Sequence, residues 1–338
     1  MKYSYSLEFI LETIGADVTV KGDFSGNVEG FASLADAIEG DLSFFYLEKY
    51  KEELLRTKAS VVLVPSDSEF SPQSGQTFLY VKNPSLDLAK LCRAIEMDLI
   101  PKPKPGIHPS AYVHPSAKIS PDAYIGPLCC IEEDAQIGAA SLASQITVGR
   151  RAKVGDETMI FPQVTIGPDC IIGERNRLHE GCVVGSDGFG YIKHEGKHQR
   201  LPQIGIVQTA AEVDIGANST IDRARIGRTY IGEGTKIDNL VQIAHNVQIG
   251  KYCLLVSQSG IAGSATLEDN VIIAGKSGII GHITIGENSI IGVMSTVTNS
   301  LEADSNVIGF PALPKATFWR LVSLKRKLPD LFKRFKNL

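Results

Sequence analysis

His245, in "NLVQIAHNVQIG" (239–250), and Gly263, in "IAGS" (261–264), stand eighteen residues apart, and Gly281 with His282 follows after eighteen more. A histidine can take up a proton, and the N–H of a residue without a side chain can be approached closely. Together these are what acyl transfer needs: a base to deprotonate the nucleophile and a donor to hold the tetrahedral oxyanion. No Ser or Cys paired with a base occurs at matching spacing, which favours direct attack by an amine or hydroxyl over a covalent intermediate. Asp238, seven residues before His245, could orient the ring or bind substrate.

The spacing has meaning only if the chain repeats, and it does. From Ile231 to Val297 an aliphatic residue recurs at every sixth position, twelve times in succession. The same register runs less cleanly upstream through Ile125, Ile131, Ile137, Val148, Val154, Ile160, Ile166, Ile172, Leu178 and Val184. Its step from Ile137 to Val148 is eleven, so one turn there should be a residue short. Hexads of this kind are the signature of a parallel β-helix. Three make one triangular coil of eighteen residues, with the aliphatic side chains inward and successive coils about 4.8 Å apart. His245 and Gly263 then share a turn position on adjacent coils.

Around the solenoid, residues 1–100 lack the hexad and mix helix-like "DLAKLCRAIEMDL" with strand-like "ASVVLVP" and "TFLYVKN", an α/β domain. Residues 101–110 read as a proline-rich linker, 111–313 as the β-helix, 186–203 as a loop inserted into it, and 314–338 as basic helix interrupted near Pro329. With 43% hydrophobic and 21% charged residues the composition is that of a globular protein. A net charge of −4 argues against a general nucleic-acid binder. Cys92, Cys129, Cys130, Cys170, Cys182 and Cys253 form no CxxC pair and read as buried thiols; Cys170, Cys182 and Cys253 each precede an aliphatic position by two. The start lacks the pattern of a signal peptide, and no apolar run could span a bilayer, so a cytoplasmic protein is expected, with membrane-surface attraction through the basic C-terminus as a further option.

The chain resembles the UDP-3-O-acylglucosamine N-acyltransferases of lipid A biosynthesis over nearly its whole length. The motifs are "HPSA" at 108–111 and 114–117, "GSDGFGY" at 185–191, "IDRARIG" at 221–227, "IDNLVQIAHNVQIG" at 237–250, "IAGS" at 261–264 and "GH" at 281–282. The resemblance implies left-handed coils, an exception to the usual crossover hand, and a homotrimer with sites between solenoids. It implies the 2-amino group of a UDP-3-O-(3-hydroxyacyl)glucosamine as acceptor and a 3-hydroxyacyl chain on acyl carrier protein as donor, a phosphopantetheine thioester with no other cofactor. His245 would be the general base, Gly263 the oxyanion donor, and His282 a substrate contact.

The N-terminal domain is similar to that family's uridine-binding module, in which two aromatic rings sandwich the uracil; Phe44 and Tyr50 of "LSFFYLEKY" match them. Leu47-Glu48 and Asn299 depart from the residues common in the family. Lys and Arg crowd the segment from 315, which would suit an acidic carrier protein. Acyl-chain length would depend on a slot near Met294 and Thr296. Competing readings are another hexapeptide O- or N-acyltransferase with a CoA or carrier-protein donor, a non-catalytic binding solenoid, and a zinc site, for which a third histidine ligand is missing.

Overall fold

The computed structural model describes residues 4–99, 101–309 and 315–336. The expected boundary at Pro314 lies outside the described residues. The chain divides into two compact units, Met1–Lys102 and Pro103–Leu338.

The first unit is a five-stranded sheet in the order Thr19–Gly22, Thr77–Val81, Val61–Pro65, Asp41–Phe44, Gly30–Phe31, with only the first pair antiparallel. "VVLV" at 61–64 is continuously apolar because both faces of its strand are covered. Leu63 packs with Ile10, Leu42, Leu79 and Leu91, and Val62 and Val64 pack with Phe45, Leu54 and Phe78.

The second unit is the parallel β-helix. Its three faces are sheets of nine, eleven and ten strands, and the partners run as the hexads require: Ile237 against Leu255 and Ile273, Ile243 against Ile261 and Ile279, Ile249 against Leu267 and Ile285. All twelve aliphatic residues from Ile231 to Val297 are buried, none more than 6% exposed. Each contributes about 1.5–3 kcal/mol by leaving water, so a register slip would forfeit the whole column. The strands are joined by tight corners that repeatedly hold one non-glycine residue in the left-handed region, Asn246 at φ 62° and His282 at φ 63° among them.

The short turn lies where the spacing puts it. Strands Gln136–Ile137 and Ser141–Leu142 are separated by Gly138-Ala139-Ala140, one residue fewer than the usual corner. Several expectations need correction. The strand Gly106–Ile107 already pairs with Tyr124–Ile125, so the solenoid begins inside the stretch read as linker. The insertion is not all loop: Tyr191–His194 and Lys197–Arg200 form an antiparallel hairpin. The C-terminal helix Lys315–Lys336 runs through Pro329 without interruption; a proline removes one backbone bond, and a helix otherwise intact on both sides can absorb that loss. Cys129, Cys170, Cys182 and Cys253 are buried, but Cys92 is exposed on the helix Pro84–Leu99 and Cys130 is half-buried, because neither follows the inward row. The two "HPSA" motifs cap their own turns: Ser110 N–H and Ser116 N–H donate to Nδ1 of His108 and His114, each at 3.2 Å.

Candidate active site

Strand Gln242–Ile243 lies in register with Gly260–Ile261. His245 and Gly263, each two residues past the aliphatic position, therefore share one corner of successive coils. Backbone bonds tie that corner together: Ser264 N–H donates to His245 O at 3.0 Å, and His282 N–H donates to Gly263 O at 3.3 Å. The imidazole packs against Gly263, so that a Cβ there would stand 2.7 Å from both Cε1 and Nε2. Among the described residues the N–H of Gly263 donates to no group. At equivalent corners this N–H is often capped, Lys251 by Asp269 at 2.7 Å and Ser257 by Asp238 at 3.0 Å. Gly263 thus presents an open donor beside the one imidazole of its column's lower coil.

Asn246 sets the state of that imidazole. Its Nδ2 donates to Ile226 O at 2.8 Å, which turns Oδ1 the other way. Oδ1 accepts from Arg225 N–H at 3.0 Å and stands 3.2 Å from His245 Nδ1. An amide oxygen only accepts, so Nδ1 carries the hydrogen and the lone pair is on Nε2, at the Gly263 side.

The inserted segment roofs the corner. Gly188 sits so close that a Cβ would be 2.7 Å from His245 Cβ and 3.0 Å from Gln203 Oε1. Gln203 is 5% exposed, its Nε2 donates to Leu201 O at 2.9 Å, and its Oε1 has no partner in the protein. Asp187 pairs with Arg200 across the segment. Beneath it Ser186 donates to Asp222 Oδ1 at 2.7 Å. Burial pushes the Asp222 carboxyl above the usual carboxylate range, against hydrogen bonds from Ser186 and Gln242 and the charge of a protonated His245. Sequence reasoning missed Gly188, Gln203 and Asp222. The available signal was the insertion itself, which enters between Val184 and the coil that leads to His245.

The other predicted residues lie elsewhere. Asp238 is at the corner preceding strand Gln242–Ile243, whereas His245 is at the corner following it. Its carboxylate is committed to backbone, accepting from Asn239 N–H at 2.7 Å and Ser257 N–H at 3.0 Å. It lines an open groove of about 640 Å³ with His179, Asp214, Lys236 and Leu254. It does not orient His245 within the protomer. The backbone of His282 joins the Gly263 column and its side chain is exposed. Phe44 ends the strand Asp41–Phe44 and stacks on Tyr46, ring centroids 5.3 Å apart and 9° between planes. Tyr50 is 38% exposed, with Lys49 Nζ 4.7 Å above its ring. Tyr46, 47% exposed, is an aromatic that sequence reasoning passed over. Among the described residues no group of three or more His, Cys, Asp or Glu is arranged to hold a metal ion.

A solenoid of hexad coils with an imidazole against an open backbone donor defines a hexapeptide-repeat acyltransferase. The bacterial transferase hexapeptide family matches residues 228–263, and the UDP-3-O-(3-hydroxymyristoyl) glucosamine N-acyltransferase family, LpxD, matches 27–94. Residues 103–188 match the GMPPB C-terminal domain. The chain is 40% identical to the UDP-3-O-acylglucosamine N-acyltransferase of Anaeromyxobacter sp. (strain Fw109-5) over 99% of its length and 95% of that protein's. It is 36% identical to the enzyme of that name from Coxiella burnetii (strain RSA 493 / Nine Mile phase I), over 77% of its length and 75% of the relative's. The chain belongs to the UDP-3-O-acylglucosamine N-acyltransferase family and is an acyltransferase. Among solved structures, an Arabidopsis UDP-N-acetylglucosamine acyltransferase overlays with a TM-score of 0.55 at 26% identity, covering 60% of this chain and 71% of that one. The fold is the left-handed parallel β-helix.

Proposed function

We propose that this acyltransferase moves a 3-hydroxyacyl chain from the phosphopantetheine thioester of acyl carrier protein to the 2-amino group of UDP-3-O-(3-hydroxyacyl)glucosamine, giving the UDP-2,3-diacylglucosamine of lipid A biosynthesis. The observation that carries this reading is the contact of the His245 imidazole with Gly263, whose N–H is open. The amine attacks the thioester carbonyl while His245 Nε2 takes its proton. The oxyanion accepts from Gly263 N–H. Collapse breaks the C–S bond, and the imidazolium returns the proton to the departing sulfur. No bond to the enzyme forms.

The family assignment supports the UDP-sugar as acceptor. Phe44 and Tyr50 remain the residues proposed to hold the uracil, and His282 to contact substrate, since its side chain is free to do so. The working form is proposed to be a homotrimer. In the C-terminal helix Leu321, Leu324, Leu328, Leu331 and Phe335 are exposed and follow one another at intervals of 3, 4, 3 and 4, the heptad spacing by which helices associate. Lys325, Arg326, Lys327 and Lys333 leave the same helix basic, which supports docking of an acidic carrier protein. In such an assembly Asp238 would bear on substrate bound to a neighbour.

The test is an assay of UDP-3-O-acylglucosamine with carrier proteins bearing chains of graded length. Amide product from the wild-type protein, and turnover reduced at least about a thousandfold in His245→Ala, are expected. Ester product, a CoA thioester as the preferred donor, or full activity of His245→Ala would each overturn the reading.

A further inference from the structure

The reaction as written leaves one buried acid beside the site unused. Asp222 ends the strand Thr220–Asp222, which pairs with Gln242–Ile243 so that Ile221 faces Ile243. One step further along both chains, Asp222 comes level with Ala244, the residue before His245. On the preceding coil its partner is Ser186, whose hydroxyl donates to Asp222 Oδ1 at 2.7 Å. Asp222 is 7% exposed. Among the described residues no lysine or arginine pairs with it. The adjacent Arg223 points away, donating to Gly185 O at 3.1 Å and Pro168 O at 2.7 Å.

A buried carboxylate is costly unless a cation or strong hydrogen bonds compensate it. Asp222 has hydrogen bonds from the Ser186 hydroxyl and the Gln242 side chain but, in the resting protein, no permanent positive partner among the described residues. A protonated His245 is a cation that bears on it, and that cation exists during turnover. We propose that Asp222 is a positioning residue for the base: its carboxylate is the standing counter-charge that stabilises the His245 imidazolium formed when the amine gives up its proton. It acts through space, because Asn246 occupies His245 Nδ1 and Nε2 faces Gly263. The proton stays on His245 throughout and passes from there to the departing sulfur, so Asp222 neither gains nor loses one. The inference rests on His245 being the base.

The other charged groups on the surrounding elements do not take this role. Asp187 is paired with Arg200 in the inserted segment. Lys193, His194, Glu195, Lys197 and His198 lie on its exposed hairpin. Arg225 is exposed on the turn beside Asn246, Arg228 is exposed at the start of the strand Arg228–Ile231, and His282 is exposed on the coil above. Of these groups and Asp222, only Asp222 is buried.

The test uses the full-length protein with Asp222→Asn, which keeps an oxygen for Ser186 and removes the charge, and Ser186→Ala, which removes the hydroxyl's hydrogen bond and keeps the charge. Asp222→Ser is a second neutral variant should the amide perturb folding, checked by circular dichroism and size. Neutralising Asp222 removes an anion that favours the imidazolium. The acid limb of the kcat/KM profile should therefore move to lower pH by about one unit, with kcat about tenfold down and KM for the UDP-sugar little changed. Nuclear magnetic resonance of histidine-labelled resting protein should show the His245 titration move the same way in Asp222→Asn and Asp222→Ser and stay in place in Ser186→Ala. An unmoved His245 titration in both neutral variants would overturn the proposal and leave the base assignment standing. A shift equal in Ser186→Ala would overturn it too, by showing that the hydrogen bond and not the charge matters. Retained activity in His245→Ala is the separate result that sinks the base.

Discussion

Nε2 of His245 and the Cα of Gly263 are packed so closely that nothing larger than hydrogen fits between them, a built Cβ standing 2.7 Å from the nitrogen. A contact under 3.0 Å to a half-buried ring at a corner of the coil has to be relieved by turning the imidazole. Gly263→Ala should accordingly fold normally, since Gly263 is only half-buried and its corner bonds are made by backbone, yet misplace the base and lower kcat roughly a hundredfold. Steady-state kinetics together with a thermal melt decide it. Wild-type kcat with an unchanged melt would show that the space left by the missing side chain does not serve the reaction.

Asn246 supports a second prediction. Asn246→Asp retains an acceptor for His245 Nδ1–H and for Arg225 N–H but places a carboxylate oxygen where Nδ2 donates to Ile226 O. An added anion in contact with the imidazole favours its protonated form. The acid limb of the pH–rate profile should move to higher pH, opposite to the shift expected for a neutral residue at 222. A limb that moves to lower pH, or not at all, would contradict the contact between Oδ1 and Nδ1.

Much of this arrangement was legible in the chain, for a physical reason. A hexad solenoid converts sequence separation directly into spatial proximity, so eighteen residues between His245 and Gly263 means one coil, and the registered strands place them there. The six-residue column from Ile231 to Val297 and the short turn at 138–140 follow from the same arithmetic. What lay outside it is whatever the repeat does not govern. Gly188 and Gln203 come to His245 through an insertion with no period, and the burial of Asp222 is not set by the hexad. The corner position of Asp238 illustrates the converse error: seven residues is near in sequence, but it spans one entire face of the triangle. The N-terminal unit has no repeat at all. There the reading of Phe44 and Tyr50 rested on resemblance, and the stacking of Phe44 on Tyr46 could not be read from spacing.

The roof over the site should be sensitive at Gly188. A methyl there would lie 2.7 Å from His245 Cβ and 3.2 Å from Cδ2. The segment is braced within itself by the hairpin Tyr191–His194 with Lys197–Arg200 and by Gln203 Nε2 donating to Leu201 O, so it does not simply shift at one residue. Gly188→Ala should lower kcat/KM about ten- to a hundredfold while leaving the melting temperature within a few degrees, since the solenoid core beneath is untouched. Unchanged kinetics would mean that the insertion is a spectator.

The inward thiols make the last prediction, which concerns stability. Burial raises the Cys182 thiol to about 12 and the Cys253 thiol to about 11, from 9.0; Cys129 and Cys170 are raised as well. A folded-state pKa above the unfolded one means that the native chain keeps a proton the unfolded chain has lost. Below about pH 9 both states hold the proton and the thiols have no pH-dependent effect. Between 9.0 and the raised folded values, the unfolded state alone ionises, and each thiol lowers stability by about 1.4 kcal/mol per pH unit. Urea unfolding at a series of pH values from 8 to 11, at fixed protein concentration, should show that slope, and Cys182→Ala with Cys253→Ala should flatten it. The double variant will also start lower at pH 8, because each replacement opens space in a packed column. That offset is constant with pH, so the comparison of slopes isolates ionisation. Cys129 and Cys170 would leave a remainder, so it is a slope wholly unchanged by removal of both thiols that would place the alkaline loss elsewhere and count against the burial of this row.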